Sequence, residues 1–482
     1  MNIRKKRINI GKDFLELLTH SKNYISAELV TKGLAFITLP VFTRLMTPDN
    51  YGVLSVFTSL TVIISIIFGF GIRVGITRYY YEDKQDFFEY FSSNFWFVLF
   101  AGIFLTSFTL LFQNQLQSFL NIPVEIIYIS FGIVIPQVIF QLYQAYLQAA
   151  KKSKRIASLT VTQALIGTGL AIAIMVQMTD EKYYAKAIGQ GIGSITLFLI
   201  TLFYLKKHIS LSVKKKHLAY SLVFGLPIVL HLLSQNILST FDQIIINQLV
   251  GKYETGIYSV AYKIGIVQNI VSMGILKAWS PIFYEKMNQK KYSDIHSLAK
   301  KYGFIVMLVA VFLIFFAKEI ITILADKSYH EALYIIPIIV ISYFFFFLYT
   351  MFVNFAFYYK KTKNIAAITI VAGGMNILLN YLLIPKFGYI AAAWTTLVSY
   401  SILFILHYTN VRWILKIKNI TSYKIFIVPV VILALMGLFN ASLNMSNFDY
   451  FIILAIKLVV LTVVIYFSYR KFKPKTKSLD NK

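Results

Sequence analysis

Cysteine is absent from the 482-residue chain, and acidic residues are scarce: 20 Asp and Glu stand against 47 Lys and Arg, and charged residues make up only 14% of the total. The first absence removes disulfides, thiolate metal sites and a cysteine nucleophile. The second falls well short of the roughly one-quarter charged residues of soluble domains. Also missing are a P-loop, a metal-spaced His cluster and a Gly-x-Ser-x-Gly elbow. Their absence argues against an enzyme, against a bound cofactor and against ATP-driven work by this chain alone.

What the chain has instead is apolar surface. It is 58% hydrophobic with a mean hydropathy of +0.68, and apolar stretches of 18 or more residues recur along its length, each enough to cross a bilayer. The net charge of +27 would suit nucleic acid if it formed one face or tail. The basic residues sit instead in short clusters between apolar runs, which is the pattern of membrane topology, and no nucleic-acid partner is expected. The basic, polar segment Met1 to Lys22 lacks a short apolar core with a small-residue cleavage site, so a cleaved signal peptide is not expected. Its Ile8, Ile10, Phe14, Leu15, Leu17 and Leu18 suit either an amphipathic surface helix or an ordinary polar lead-in.

The expected fold is all-α and membrane-spanning, with about 14 helices. The first six are expected at 24–46, 53–76, 91–112, 122–147, 156–178 and 185–205. Six more are expected at 218–249, 256–279, 303–324, 332–358, 365–384 and 389–413, and two at 423–439 and 450–469. Placing the N-terminus inside puts 37 of the 47 basic residues in the eight cytoplasmic segments or within one helical turn of them. A missed helix would scramble this alternation downstream, yet it holds to the Arg470-Lys471-Phe472-Lys473 cluster, so both termini are expected to be cytoplasmic. Every outer loop is about fifteen residues or shorter, which leaves no room for an outer catalytic domain.

Two stretches repeat. Lys151-Lys152-Ser153-Lys154-Arg155-Ile156-Ala157-Ser158-Leu159-Thr160-Val161 aligns with Lys360-Lys361-Thr362-Lys363-Asn364-Ile365-Ala366-Ala367-Ile368-Thr369-Ile370, and six of these eleven positions are identical. Loop lysines alone would explain three matches but not the Ile-Ala-x-x-Thr continuation. Leu45 to Val56 against Leu249 to Val260 keeps Leu, Gly52/Gly256, Ser55/Ser259 and Val in register. The offsets are 209 and 204 residues. Duplication of a six-helix unit accounts for both, with parallel lobes at 24–205 and 218–413. The lobes are joined by a cytoplasmic linker at 206–217, and a cytoplasmic segment at 1–23, two appended helices at 423–469 and a basic tail at 470–482 complete the chain. In transporters built this way the substrate path lies between the halves.

An ionisable group at bilayer depth costs roughly 2.5–3.5 kcal/mol on insertion scales, so it is a functional candidate unless it can snorkel. Glu28 and Lys32, four apart, share a helix face and can pair, either structurally or in a cavity. Arg44 near the outer end of the first helix can snorkel or face the cavity. Arg73 and Arg78 follow a glycine-rich turn and suit cytoplasmic anchoring or substrate binding. Asp242 lies about two turns before the Gly251 loop and Lys263 about two turns after it, so antiparallel neighbours would bring them to similar depth. Such a pair offers ion coupling, an anion site on a released lysine, or a static bridge. His231 suits a helix contact, and Lys457 has no partner visible in the sequence.

Several stretches resemble one family. They are Thr43-Arg44-Leu45-Met46-Thr47-Pro48-Asp49-Asn50-Tyr51-Gly52-Val53, Gly256-Ile257-Tyr258-Ser259-Val260-Ala261-Tyr262-Lys263-Ile264, and Asn380-Tyr381-Leu382-Leu383-Ile384-Pro385-Lys386-Phe387-Gly388-Tyr389-Ile390-Ala391-Ala392-Ala393. With Asp242, they resemble the polysaccharide transporters of the multidrug/oligosaccharidyl-lipid/polysaccharide flippase superfamily, and within it the Wzx-type repeat-unit flippases. The resemblance covers about residues 20–470. It implies a bacterial inner-membrane protein that moves undecaprenyl-diphosphate-linked oligosaccharide to the outer leaflet through a cationic cavity, driven by H+ or Na+. It further implies a monomeric transport unit, working beside polysaccharide polymerase machinery. By resemblance, Arg44, Arg78, Asp242 and Lys263 match charged positions of the family. Arg44, Arg78 and Lys263 are then candidates for substrate binding, and Asp242, Lys263, Glu28 and Lys32 for ion coupling or charge pairing.

Three readings compete. A peptidoglycan-precursor flippase would carry several more arginines along its first two helices. A multidrug/cation antiporter would have twelve helices and a deeper acid in its first lobe. A membrane polymerase or acyltransferase would need reactive residues in a large outer loop. For the topology, reporters fused in the loops at Asp180 and Asp326 are expected to read as outside; a cytoplasmic signal from either would break the fourteen-span count.

Overall fold

In a computed structural model the protein is helical throughout: residues 23, 26–417, 424–445 and 449–472 are described, and among them there is no strand. The N-terminal segment 1–22, with its amphipathic pattern, and the tail beyond residue 472 lie outside the described residues. The chain divides into two compact units, Met1–Asn236 with Gly251–Gly256, and Ile237–Val250 with Ile257–Lys482.

The first unit contains α1 (26–37), α2 (Leu39–Leu45), α3 (Pro48–Gly69), α4 (Ile72–Glu82), α5 (Phe87–Leu110), α6 (Gln113–Leu120), α7 (Val124–Ala149), α8 (Ser153–Gln177), α9 (Tyr183–Leu205) and the start of α10 (Lys215–Leu249). Most of α11 (Lys252–Asn288) belongs to the second unit. That unit continues through α12 (Tyr292–Phe315), α13 (Ala317–Leu324), α14 (Ile336–Tyr358), α15 (Thr362–Phe387), α16 (Ile390–Thr409), α17 (Lys424–Met445) and α18 (Tyr450–Phe472).

Among the described residues, 12 helices are long and apolar enough to cross a membrane. They correspond in order to the second through thirteenth expected spans. The protein is therefore a multi-pass, all-α membrane protein. The first expected span is broken at Thr38, whose hydroxyl donates back to the Leu34 carbonyl at 2.7 Å, and Pro40 opens the following α2. The last is α18, apolar over Tyr450–Val464. Other boundaries move for local reasons. The second span stops at Gly69 because Phe70 and Gly71 are both left-handed, with φ of 47° and 66°. The span expected at 303–324 breaks at Phe316 into α12 and α13. With 37 residues, α11 is roughly 55 Å long at 1.5 Å per residue, well beyond the ~30 Å hydrocarbon core.

The two repeated stretches of the sequence adopt matching local conformations. At the 209-residue offset, Lys151 and Lys360 both sit in the left-handed region, at φ 58° and 56°. The next amides close the same six-to-one turn: Lys152 N–H donates to the Leu147 carbonyl at 2.8 Å, and Lys361 N–H to the Ala356 carbonyl at 2.9 Å. At the 204-residue offset, α3 starts at Pro48 and α11 at Lys252. Here the two repeated stretches touch within the first unit. A Cβ on Gly52 would collide with the Lys252 carbonyl, and a Cβ on Gly256 with the Pro48 carbonyl. Only glycine lets the backbones approach this closely.

Lys457, which had no visible partner in the sequence, is answered by Glu319. Its ammonium is fully buried and donates to both carboxylate oxygens, at 2.9 and 3.1 Å. This ties α18 to α13. Removing one member of a buried pair leaves the other charge uncompensated, at a cost of about 3–5 kcal/mol. Lys457→Met is therefore expected to lower the melting temperature of the purified protein clearly, and Lys457→Met with Glu319→Gln to recover most of the loss. Equal melting of Lys457→Met and wild type would show that the pair contributes nothing.

Candidate functional site

The short turn at Val250 and Gly251 folds α10 back against α11, so Asp242 in α10 faces Tyr258 in α11. The Tyr258 hydroxyl donates to Asp242 Oδ2 at 2.7 Å. Two more donors come from the helices packed behind: Thr396 Oγ1 of α16 donates to the same oxygen at 2.6 Å, and Asn380 Nδ2 of α15 to Oδ1 at 2.6 Å. An outer layer orients these donors. The Thr395 hydroxyl donates to Asn380 Oδ1, and Asn376 Oδ1 accepts from Asn380 Nδ2 at 3.5 Å. Asp242, Tyr258, Asn376 and Asn380 are inaccessible to solvent, and Thr395 and Thr396 nearly so. The Asn376 amide nitrogen has no partner among the described residues.

Asp242 thus sits among neutral donors, and among the described residues it forms no ion pair. Burying a carboxylate without a cation is costly, and three short hydrogen bonds are the compensation this fold supplies. Chemically the cluster can hold a negative charge, accept a proton, or offer oxygen ligands to a small cation. No group of three or more metal-ligating His, Cys, Asp or Glu side chains occurs among the described residues.

The expected partner, Lys263, is elsewhere. It lies five residues beyond Tyr258, about 140° around α11, so the face that meets Asp242 cannot also present Lys263. Its side chain is exposed and makes no hydrogen bond or ion pair with a described residue. Glu28 and Lys32 do pair, at 2.7 Å, but on an exposed face. Arg44 is exposed and donates to the Pro40 carbonyl at 3.1 Å. Arg78 pairs with Glu82 at 2.6 Å and lies over the Phe224 ring at 4.3 Å. The Tyr220 hydroxyl also donates to Glu82, at 2.6 Å, and Tyr220 and Arg78 together hold the Glu82 carboxyl below the usual carboxylate range. Arg78 and Glu82 are exposed, so their pair adds little stability.

Beside them, the loop ahead of α5 is fixed to the start of α10. Asp86 accepts from Lys216 Nζ at 2.9 Å, and its carboxylate meets His217 Nε2 at 2.8 Å and the Tyr79 hydroxyl at 2.8 Å. Lys216, then His217 and Tyr79, hold the Asp86 carboxyl well below its ordinary range.

The family profile described as "Polysaccharide biosynthesis protein" matches residues 22–287, more than half of the chain. The chain belongs to this polysaccharide biosynthesis family. The MatE profile matches residues 227–382 as well. Among solved structures, "Lipid II flippase MurJ, inward closed conformation" superposes with a TM-score of 0.72 at 15% identity, covering 94% of this chain and 99% of that one. An inward-facing multidrug resistance MATE family transporter of the MOP superfamily gives 0.61 at 14% identity, covering 82% and 96%. No curated protein sequence matches the chain. The family member described here has the fold of a transporter of that superfamily, not of a catalyst.

The sequence pointed to Asp242 but not to its donors. Tyr258 and Asn380 lay inside the stretches that carried the resemblance; Asn376, Thr395 and Thr396 went unnoticed. The available signal was Asn376-x-x-x-Asn380, two amides on one face of an apolar span. A hydrogen bond to a charged acceptor contributes about 1.5–3 kcal/mol, so Thr396→Val is expected to lower the thermal stability of the purified protein, and Tyr258→Phe/Thr396→Val further. Unchanged melting in both variants would mean that these donors do not support Asp242.

Proposed function

We infer that the protein turns undecaprenyl-diphosphate-linked oligosaccharide repeat units from the cytoplasmic to the outer leaflet of the bacterial inner membrane, supplying O-antigen, capsule or exopolysaccharide synthesis. The observation that carries this reading is membership of the polysaccharide biosynthesis family over residues 22–287, on a flippase-like fold. The step proceeds by alternating access, with both termini cytoplasmic. A hydrated sugar diphosphate cannot cross hydrocarbon unaided, and basic side chains in a low-dielectric space are its natural counter-charge. Lys263, exposed within a membrane-spanning helix, is the foremost candidate for the diphosphate, with Arg44 and Arg78 as further candidates. Asp242, surrounded by donors and no cation, is the candidate for coupling to H+ or Na+.

The lipid part of such a cargo also has a suitable surface. The second unit carries a mainly apolar groove of about 810 Å3 among α14, α16 and α17, lined by Phe345, Trp394 and Val430 among others, with Lys318 at its edge. A second reading, a flippase for the lipid-linked peptidoglycan precursor, is favoured by the superposition on MurJ. The few arginines of the first two spans speak for the oligosaccharide cargo instead.

Deleting the gene in its host should make lipid-linked oligosaccharide accumulate on the inner leaflet, with the surface polysaccharide lost. Accumulation of lipid-linked peptidoglycan precursor alone would select the second reading. In the complemented strain, Lys263→Ala and Asp242→Asn are each expected to cut surface polysaccharide at least tenfold; wild-type levels in both would make these two residues bystanders.

A further inference from the structure

Away from the Asp242 cluster, the first unit carries an open cavity of about 290 Å3 among α1, α7, α8 and α9. That is near the lower end of the range for small-molecule sites. Seven of its nine lining residues are polar or charged, which is unusual among membrane-spanning helices. Three are amides, Gln137, Gln163 and Gln190, and Thr160, Thr168 and Lys186 complete most of the wall. Lys186 is the single cation, and no acidic side chain lines the space.

Close packing of α8 on α9 assembles this wall. A Cβ on Gly189 would lie 2.5 Å from the Gly167 carbonyl oxygen, and one on Gly193 3.4 Å from the Gly167 Cα. The glycines therefore bring Gln163 and Gln190 together from two helices. On α7, Pro136 precedes Gln137, and Gln141 and Gln144 continue the same face at helical spacing.

Amides between membrane helices often serve only to bind the helices to one another. Here that role leaves capacity over. The Nε2 atoms of Gln137 and Gln163 both point at Ser194 Oγ, at 3.1 and 3.5 Å. Their Oε1 atoms accept from no described residue, and the Gln190 side-chain amide makes no hydrogen bond with one. None of these atoms is sealed in the protein interior. Each amide has two donors and an acceptor with two lone pairs. Unfilled polar groups at bilayer depth have to be met by water or by a polar ligand. Lys186 Nζ, 4.6 Å above the Phe42 ring and 3.5 Å from Thr168 Oγ1, adds one positive charge at the rim.

We propose that this cavity is a carbohydrate site that takes one acidic sugar unit, its hydroxyls exchanging hydrogen bonds with Gln137, Gln163 and Gln190 and its carboxylate facing Lys186. Sugar hydroxyls both donate and accept, which is the pattern that spare amide groups complement. That the sugar belongs to a lipid-linked cargo rests on the flippase reading; the binding itself does not.

The test uses the full-length protein in phospholipid nanodiscs, with glucuronate and glucose as probes in saturation-transfer NMR. Glucuronate should bind, with glucose weaker by roughly tenfold, the worth of one charged contact. Gln190→Leu removes a side chain that holds no other described residue, so it should reduce glucuronate binding while melting stays as in wild type. Lys186→Met should abolish the preference for the acidic sugar. No saturation transfer to either probe, or undiminished glucuronate binding in both variants, would overturn the proposal. Binding without accumulation of lipid-linked oligosaccharide on gene deletion would leave the cavity assigned and remove the flippase reading. Accumulation without binding would do the reverse.

Discussion

Hydrocarbon supplies no hydrogen bonds, and the architecture follows from that constraint. Backbone groups are satisfied by folding every described span as a helix. Polar side chains at the same depth have to find partners within the protein or in a polar space it encloses. Three solutions occur. Asp242 is buried and matched by three neutral donors from three other helices. Lys457 is buried and matched by an opposite charge. The amides of the first unit face a cavity and keep part of their capacity free. The first two arrangements fix helices in place, whereas the third leaves room for a guest.

The Asp242 arrangement also separates two roles that a direct Asp–Lys bridge would have merged. Neutral donors hold the carboxylate in position whatever happens to Lys263, and Lys263 carries no obligation to Asp242. In the function proposed above, the Asp242 carboxylate of α10 and the Lys263 ammonium of α11 would then act on different sides of α11. Coupling between them would run through the helix, not through a shared bond.

Most of the helix count was legible in the sequence because bilayer thickness acts on composition directly. Eighteen apolar residues in a row have few alternatives. The two repeated stretches carry matching local structure, since left-handed Lys151 and Lys360 and the Gly52/Gly256 contact recur at the offsets of the sequence repeat. What stayed hidden depends on rotation about the helix axis. Pairing Asp242 with Lys263 used depth alone; Tyr258 wins the contact because it lies on the facing side. The break between α12 and α13 at Phe316 was equally hidden, although Lys318 and Glu319 interrupt the apolar run just beyond it. Glu319 could not be matched to Lys457 because 138 residues separate them, and only packing brings α18 onto α13.

The reciprocal glycine contact constrains how the sequence can drift. After a gene duplicates, its halves are usually free to diverge, and weak similarity across the rest of the chain is the result. Where the two repeated stretches pack together, a side chain gained at Gly52 would meet the Lys252 carbonyl and one gained at Gly256 the equivalent Pro48 carbonyl. The two positions would therefore be expected to change only together, a short stretch with the self-complementarity of a symmetric dimer.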